Sequence, residues 1–263
     1  MSATAKRHLA CGVLLVWGVT LSYFCLSGRI AAYLHPAFHI YTAISGGVFV
    51  LLAVLIFLTT EAESHSCCCH DGCCSGSFGI GIFPAMVLSL PLLLAVFLSP
   101  SRFGSTAVAN RGVVDNIAGL PAYSPPAQPR QPPAGAETFL KKTKEGRIDA
   151  ETVDLLYAAA EPTIREDFDG KDVEVIGQFL PAKTGNPNGD RFQLIRLFVM
   201  CCAADARPVA VMVQTSGKMD FEEMDWLKIT GKATFPLLNG RTTPVVVADS
   251  VIKTEPPPDS FLY

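Results

Sequence analysis

Three long apolar segments before residue 100 constrain the fold of this chain more than any other feature. They cover residues 9–27, 38–58 and 78–98, and none contains an acidic side chain, a lysine or an arginine. Each has close to the roughly 20 residues that cross the hydrocarbon core of a bilayer. Charged residues make up 17% of the chain, against about 25% in a typical soluble domain. We therefore predict three transmembrane helices and a multi-pass location in the cell membrane, with the lipid bilayer as a partner.

The first segment also resembles the start of a secretory signal, because Lys6 and Arg7 precede it. The apolar core of such a signal is usually only about 7–15 residues long, and a small-residue cleavage site follows it. Neither property fits residues 9–27, so we predict a retained helix. In the second segment, the pair Gly46-Gly47 predicts close packing between helices.

The loop at 64–75, between the second and third segments, concentrates thiols and imidazoles. The eleven residues from Ser64 to Cys74 contain five cysteines and two histidines. These donors suit zinc, Cu(I) and other thiophilic metal ions, and a tetrahedral site needs only four of them. The spacing does not select which four. The alternative is a loop that merely tolerates free thiols or, if it faces an oxidising compartment, forms disulfides. The candidate metal ligands are His65, Cys67, Cys68, Cys69, His70, Cys73 and Cys74.

A proline-rich stretch separates the apolar region from a second domain. We predict a transmembrane region at 1–100, a linker at 101–136, and a soluble domain at 137–263. The linker has few large apolar residues and ends in a run rich in proline, which favours an extended, semi-rigid spacer. The soluble domain has 20 acidic and 15 basic side chains, so its formal charge is −5. Because single-stranded nucleic acid binds in basic grooves, we do not expect nucleic acid as a partner.

The soluble domain begins with a helical pattern and continues with period-two patterns. Asp149 is a plausible N-cap of a helix whose apolar residues recur at helical spacing. Five strand-like stretches follow, with turn signals between them. They cover 172–180, 192–201, 209–214, 226–235 and 243–253. The predicted fold is therefore three N-terminal transmembrane α-helices plus a C-terminal all-β or α+β domain, resembling a five-stranded OB-like barrel with one flanking helix.

A possible functional motif lies where the second and third predicted strands meet. Cys201, Cys202, Asp205 and Arg207 bring two thiols, a carboxylate and a guanidinium into seven residues. The alternative is that Cys201 packs inside the barrel while Asp205 and Arg207 form a weak surface pair. If both cysteines lie on a strand, their side chains point to opposite faces, so at most one should reach a given site.

Sequence motifs of the common enzyme classes are absent. The chain has no GxGxxG after a strand, no GxxxxGK[ST], no HExxH and no GxSxG. The soluble domain also has no histidine that could act as the general base of a nucleophilic thiol. We therefore expect no enzymatic activity and no catalytic residues.

The whole pattern resembles the YcgQ-like family of bacterial membrane proteins. The resemblance lies in the apolar spans, the Cys/His-rich loop, and the segments DVEVIGQF, RFQLIRLFVMCCAADARPVAVMV and DWLKITGKATF. Its most specific part is 201–208. It implies a permease-associated subunit whose partner is a multi-span permease, and it supplies no catalytic residues.

Together these observations suggest a membrane accessory subunit of a permease, which captures or senses a thiophilic metal ion through the loop at 64–75. Transport by this chain alone is not expected, because its apolar segments contain no Asp, Glu, Lys or Arg to mark an ion path. The alternative is a membrane-anchored thiol or redox protein that uses Cys201 and Cys202. That alternative requires a thiol with a low pKa or a C-x-x-C spacing, and the spacing is absent.

Overall fold

The computed structural model describes residues 3–59, 81–98, 104–120, 140–182, 186–238 and 240–262. The chain divides into two compact units, Met1–Arg102 and Phe103–Tyr263. The first unit is helical and the second is built mainly of strands. This division agrees in outline with the predicted order of an apolar helical region followed by a β-rich domain.

The first unit contains three apolar helices, α1 (Ala3–Leu26), α2 (His39–Leu58) and α3 (Ile82–Leu98). Two helices are long and apolar enough to cross a membrane, over Thr4–Leu26 and Pro36–Leu58. Helix α3 has 17 residues, and the first residues of its predicted span lie outside the described part of the chain. Two of the three predicted spans are therefore present as helices of sufficient length, and the third stays a prediction.

Small residues allow α1 and α2 to approach closely. A Cβ atom added to Gly18 would lie 2.9 Å from the Gly46 carbonyl oxygen, and one added to Gly46 would lie 2.9 Å from Ser22 Oγ. Gly47, by contrast, has nothing within 4 Å of such an atom. The predicted close packing at the Gly-Gly pair is therefore confirmed for Gly46 but not for Gly47.

Arg29 connects the end of α1 to the end of α3. Its Nη1 donates a hydrogen bond of 3.1 Å to the carbonyl oxygen of Val96, in the last turn of α3. Carbonyl groups in the last turn of a helix lack partners within the helix, and a cation satisfies one of them while complementing the helix dipole. The guanidinium also lies 5.6 Å from the ring centroid of Phe24.

The second unit is a closed barrel of five strands, as predicted. The strands are β2 (Asp172–Pro181), β3 (Arg191–Phe198), β4 (Arg207–Gln214), β5 (Trp226–Thr234) and β8 (Val245–Lys253). They pair in the order β2-β5-β8-β4-β3, and β3 pairs again with β2 to close the barrel. All pairs are antiparallel except β4 with β8.

Four short strands were not predicted. Strand β1 (Ile148–Ala150) lies parallel to β2, and β9 (Phe261–Leu262) lies parallel to β3. Strands β6 (Leu237–Leu238) and β7 (Arg241–Thr242) form a separate hairpin between β5 and β8. Each has only two or three residues, which is too short for an alternating pattern to be recognised in the sequence.

The barrel has an apolar core and a bulge where β5 pairs with β8. The core includes Val173, Leu194, Val211 and Ile229, all completely buried. The register of β5 and β8 shifts between Thr230 and Gly231. A Cβ at Gly231 would lie 2.1 Å from the carbonyl oxygen of Val247, so only glycine fits at this bulge.

The predicted flanking helix is present, although it begins later than predicted. Helix α5 (Thr152–Ala160) packs Leu155 and Leu156 into the core, and a short helix α6 (Pro162–Arg165) follows it. The prediction that Asp149 is the N-cap is wrong, because Asp149 lies in β1. Glu151 precedes the helix instead, and its N–H donates to Asp154 Oδ2 at 2.8 Å. Asp149 therefore pairs with β2 as part of a strand, although the local sequence favours it as a helix cap.

Part of the predicted linker belongs to the barrel unit. Helix α4 (Ser105–Arg111) buries Val108 completely against Ile195 and Leu197. Beyond it, Val114 lies parallel to Val209 of β4, next to the part of β4 that β8 does not pair with. The proline-rich remainder of the predicted linker lies outside the described residues.

Candidate functional site

The turn between β3 and β4 brings two cysteines and an aspartate together. Strand β3 ends at Phe198, so Cys201 and Cys202 lie in the turn rather than on a strand. The two thiol sulfurs and a carboxylate oxygen of Asp205 all lie within 4.8 Å of one another. The expectation that only one of the two thiols reaches a given site is therefore wrong. We call these three residues the thiol–carboxylate cluster.

Asp205 organises the turn through its carboxylate. Its Oδ1 accepts a hydrogen bond of 3.0 Å from the Met200 N–H, and its Oδ2 accepts from the N–H groups of Cys201 (2.8 Å) and Cys202 (3.3 Å). The Asp205 N–H donates in return to the Cys202 carbonyl oxygen at 3.0 Å. An aspartate can therefore hold this turn because its short side chain reaches three successive backbone donors.

The cluster is accessible from solvent. Cys201 is exposed, while Cys202 and Asp205 are half-buried, and both cysteines are free thiols. The alternative that Cys201 packs inside the barrel is therefore wrong. Within the described residues Asp205 makes no ion pair with Arg207, whose Nη1 donates instead to the Arg111 carbonyl oxygen at 3.4 Å. The alternative of a surface pair between Asp205 and Arg207 is wrong as well.

The carboxylate and the first thiol influence each other's protonation. Burial alone would raise the pKa of Asp205, but hydrogen bonds from the Cys201 thiol and from three backbone N–H groups outweigh it, and the pKa lies below its ordinary value. Hydrogen bonding to Asp205, and then to Cys202, raises the pKa of Cys201 to about 12. Cys201 is therefore a protonated thiol at neutral pH, whereas thiol exchange needs a thiolate.

The donor set of the cluster suits a thiophilic cation. Two sulfurs and one oxygen are ligands of zinc, and thiolates also bind Cu(I). A carboxylate has about four lone-pair directions; the three backbone N–H groups use three of them, and one remains to face the proton of the Cys201 thiol. A cation between the three side chains would take the place of that thiol proton, since metal-bound cysteines are deprotonated.

Arg111, the last residue of α4, holds the same turn from outside. Its Nη1 donates to the carbonyl oxygens of Ala203 (2.9 Å) and Ala206 (3.3 Å), which lie on either side of Asp205 in the chain. Sequence reasoning did not select Arg111, because it lies in the predicted linker and 92 positions before Ala203. No local pattern indicates such a contact.

The other predicted site belongs to the Cys/His-rich loop between the second and third apolar segments. The candidate ligands of the Cys/His-rich loop, His65, Cys67, Cys68, Cys69, His70, Cys73 and Cys74, lie outside the described residues. That metal site stays a prediction from sequence.

Comparison with known families gives two consecutive matches, and no curated protein matches the chain. The model of the DUF1980 N-terminal domain matches residues 9–114, and that of the DUF1980 C-terminal domain matches residues 140–263. The first covers α1 to α4, and the second covers the barrel and its flanking helix. The more specific resemblance to the YcgQ-like proteins stays a prediction. Since the two models of one family account for most of its length in the expected order, the chain belongs to the DUF1980 family.

Proposed function

We propose that this protein is a multi-pass membrane accessory subunit of a permease that captures or senses a thiophilic metal ion, and that the thiol–carboxylate cluster is one of its ion sites. The observation that carries the proposal is the meeting of two thiols and a carboxylate within 4.8 Å at an accessible turn. In this proposal the barrel is an OB-type module that presents the turn at one of its strand ends.

The exposure of the apolar helices supports a membrane location. Only 22% of the apolar window in α1 and 11% of that in α2 is buried, whereas the core helix of a soluble protein is mostly buried. Large side chains such as Phe57, Phe83 and Phe97 are exposed. Lipid chains would cover these surfaces without the free-energy cost of leaving them in water.

The composition of the cluster supports capture rather than a structural role for the ion. Structural zinc sites are closed by four protein ligands, whereas three ligands leave a coordination position for exchange. The exposed sulfur of Cys201 gives an incoming ion or an acceptor ligand direct access. The loop at 64–75 is proposed as a second thiol-rich donor set, on the basis of its sequence alone. The permease partner rests on the resemblance to the YcgQ-like family.

Metal binding by the full-length protein in mild detergent tests the proposal. All seven candidate ligands of the loop must first be replaced by serine, so that its thiols and imidazoles do not contribute to the binding measured at the cluster. The substituted positions are His65, Cys67, Cys68, Cys69, His70, Cys73 and Cys74. In this background Zn(II), or Cu(I) under reducing conditions, should bind with a stoichiometry of one ion per chain. Cys201→Ser should weaken binding at least about tenfold, since it removes one of three ligands.

Cys25→Ser in α1 is the matched control, because it removes a free thiol remote in sequence from the cluster. It should leave the affinity unchanged. Absence of stoichiometric binding in the loop-substituted protein, or equal affinity after Cys201→Ser, would overturn the proposed ion site.

The membrane part has a separate test, since a multi-pass protein stays in the membrane fraction after alkaline carbonate washing. Release into the aqueous fraction would refute it.

A further inference from the structure

We propose that Arg111 is a positioning residue of the thiol–carboxylate cluster, and that ion binding at the cluster is coupled to docking of residues 105–114 on the barrel. The inference rests on the proposed function, because it concerns the regulation of the same ion site. The observation behind it is that the Arg111 guanidinium donates to carbonyl oxygens on both sides of Asp205.

The docked segment contacts both chain ends of the turn. Val108 of α4 is completely buried in a cluster that includes Val199, just before the turn, and Ala206, just after Asp205. The Val114 N–H donates to the Pro208 carbonyl oxygen at 2.7 Å, and its carbonyl oxygen accepts from the Ala210 N–H at 2.9 Å. The turn is therefore held to one segment, residues 105–114, by side-chain packing, by the Arg111 guanidinium and by backbone pairing.

Arg111 suits this role because of its charge and its geometry. A cation bound by two thiolates and a carboxylate has three anionic ligands, so a zinc complex carries a net charge of −1 and a Cu(I) complex a net charge of −2. A guanidinium hydrogen-bonded to the backbone of the same turn offsets part of that excess negative charge. Its hydrogen bonds also restrict the carbonyl groups of Ala203 and Ala206, and thereby keep the three ligands in place before the ion arrives.

Coupling between binding and docking follows by reciprocity. If docking of 105–114 raises the affinity of the cluster for the ion, then the ion must stabilise the docked segment by the same factor. Only six residues separate Leu98, the end of α3, from Ser105, the start of α4. The segment that responds to the ion is therefore the one that follows the apolar helices in the chain.

The test compares arginine variants in the full-length, loop-substituted protein, with Zn(II) as the probe. Arg111→Gln should weaken zinc binding about tenfold, a loss typical of residues that orient metal ligands without binding the metal themselves. Arg111→Lys keeps the charge and should restore part of the affinity. Arg191→Gln is the matched control, since it removes an exposed arginine at the start of β3, the end of the strand opposite the turn, and its affinity should stay within about twofold of the parent.

Hydrogen exchange supplies the readout that a merely structural role would not change. Zinc should slow amide exchange in residues 105–114 of the parent protein, and Arg111→Gln should reduce this effect. If the parent binds zinc but Arg111→Gln binds equally well, or if zinc leaves exchange in 105–114 unchanged, the coupling is refuted while the ion site stands. If the parent does not bind zinc or Cu(I), the proposed ion site fails and the coupling fails with it. Arg111→Lys keeps the proposal testable if Arg111→Gln misfolds, because the amide exchange pattern of the unliganded lysine variant should match that of the parent.

Discussion

The helical unit exposes its large apolar side chains, whereas the barrel unit buries them. In α2 the buried residues are Gly46 and Ala53, while large apolar side chains along the helix are exposed. In the barrel the completely buried residues are large and branched, among them Leu194 and Ile229. Similar apolar residue types therefore form the interior of one unit and the exterior of the other.

This difference indicates which interaction stabilises each unit. The barrel buries apolar side chains away from water, and this burial is the main favourable term in its folding. In the proposed membrane location, the helices of the first unit gain little from such burial, because lipid is as apolar as their side chains, and close backbone approach at small residues holds them together. Replacing a glycine therefore tests a different interaction in each unit: strand pairing in the barrel and close approach of two helices in the helical unit.

The largest effect should come from Gly231 in the barrel. An added Cβ would lie 2.1 Å from a backbone oxygen of β8, and backbone cannot move aside without breaking the pairing of β5 with β8. Gly231→Ala should therefore lower the free energy of unfolding of the barrel by about 3 kcal/mol or more. Urea unfolding followed by the fluorescence of the buried Trp226, in a Trp17→Phe background, measures this change.

Gly217→Ala is the matched control for this substitution. Nothing lies within 4 Å of a Cβ at Gly217, so the free energy of unfolding should change by less than about 0.5 kcal/mol. Equal effects at the two glycines would mean that the bulge at Gly231 does not constrain the barrel.

The sequence predicted most of the fold because its signals are local. The five barrel strands follow alternating patterns, and the end of β8 at Lys253 was placed to the residue. Helix α5 was recognised from its spacing, but its start was misplaced because pairing of Asp149 with Glu174 overrides the local capping preference. Helix α4 was missed because a seven-residue helix with one buried side chain has no repeating pattern.

The candidate site was predictable only in part, since its geometry depends on where β3 ends. The residues of the cluster were selected from their chemistry. However, the strand was predicted to continue to Cys201, and alternation along it would place the two cysteine side chains on opposite faces. In the structure β3 ends at Phe198, and the Asp205 carboxylate accepts hydrogen bonds from three consecutive N–H groups beyond it. The contribution of Arg111 depends on long-range packing of α4, which a single sequence does not reveal.

A smaller effect should follow from enlarging Gly46 in the helical unit. Gly46→Ile places side-chain atoms against Ser22 Oγ and Gly18, so α1 and α2 must separate. We expect the apparent stability of the helix pair to fall by about 1–3 kcal/mol. Thermal unfolding in detergent, with amide exchange along α1, measures it. Gly47→Ile should have little effect because its Cβ has no neighbour, and a reversal of this order would show that α1 does not pack on the Gly46 side of α2.

The smallest effect concerns charge, and here too the two units differ. Helices α1, α2 and α3 contain no Asp or Glu, whereas the barrel has an ion pair between Asp225, before β5, and Lys253, at the end of β8. The two charged groups are 2.8 Å apart. The hydrogen bond from Lys253 lowers the pKa of Asp225, against the opposing effect of burial and with help from the Glu222 N–H.

A carboxyl group with a lowered pKa stabilises the folded state above its unfolded pKa of about 3.9, and this stabilisation is lost as the pH falls through the folded value. Asp225→Asn should therefore lower the urea midpoint of the barrel slightly at pH 7, and the difference from the parent should shrink as the pH falls below about 3.9 and through the lowered pKa of the folded state. Asp172→Asn removes one member of the Asp172–Lys232 pair, whose side chains are both more than half exposed. Exposed pairs contribute little, so this variant should follow the parent at every pH. If Asp172→Asn loses as much as Asp225→Asn at pH 7, the net charge of the barrel, rather than the bond between β5 and β8, determines its response to acid.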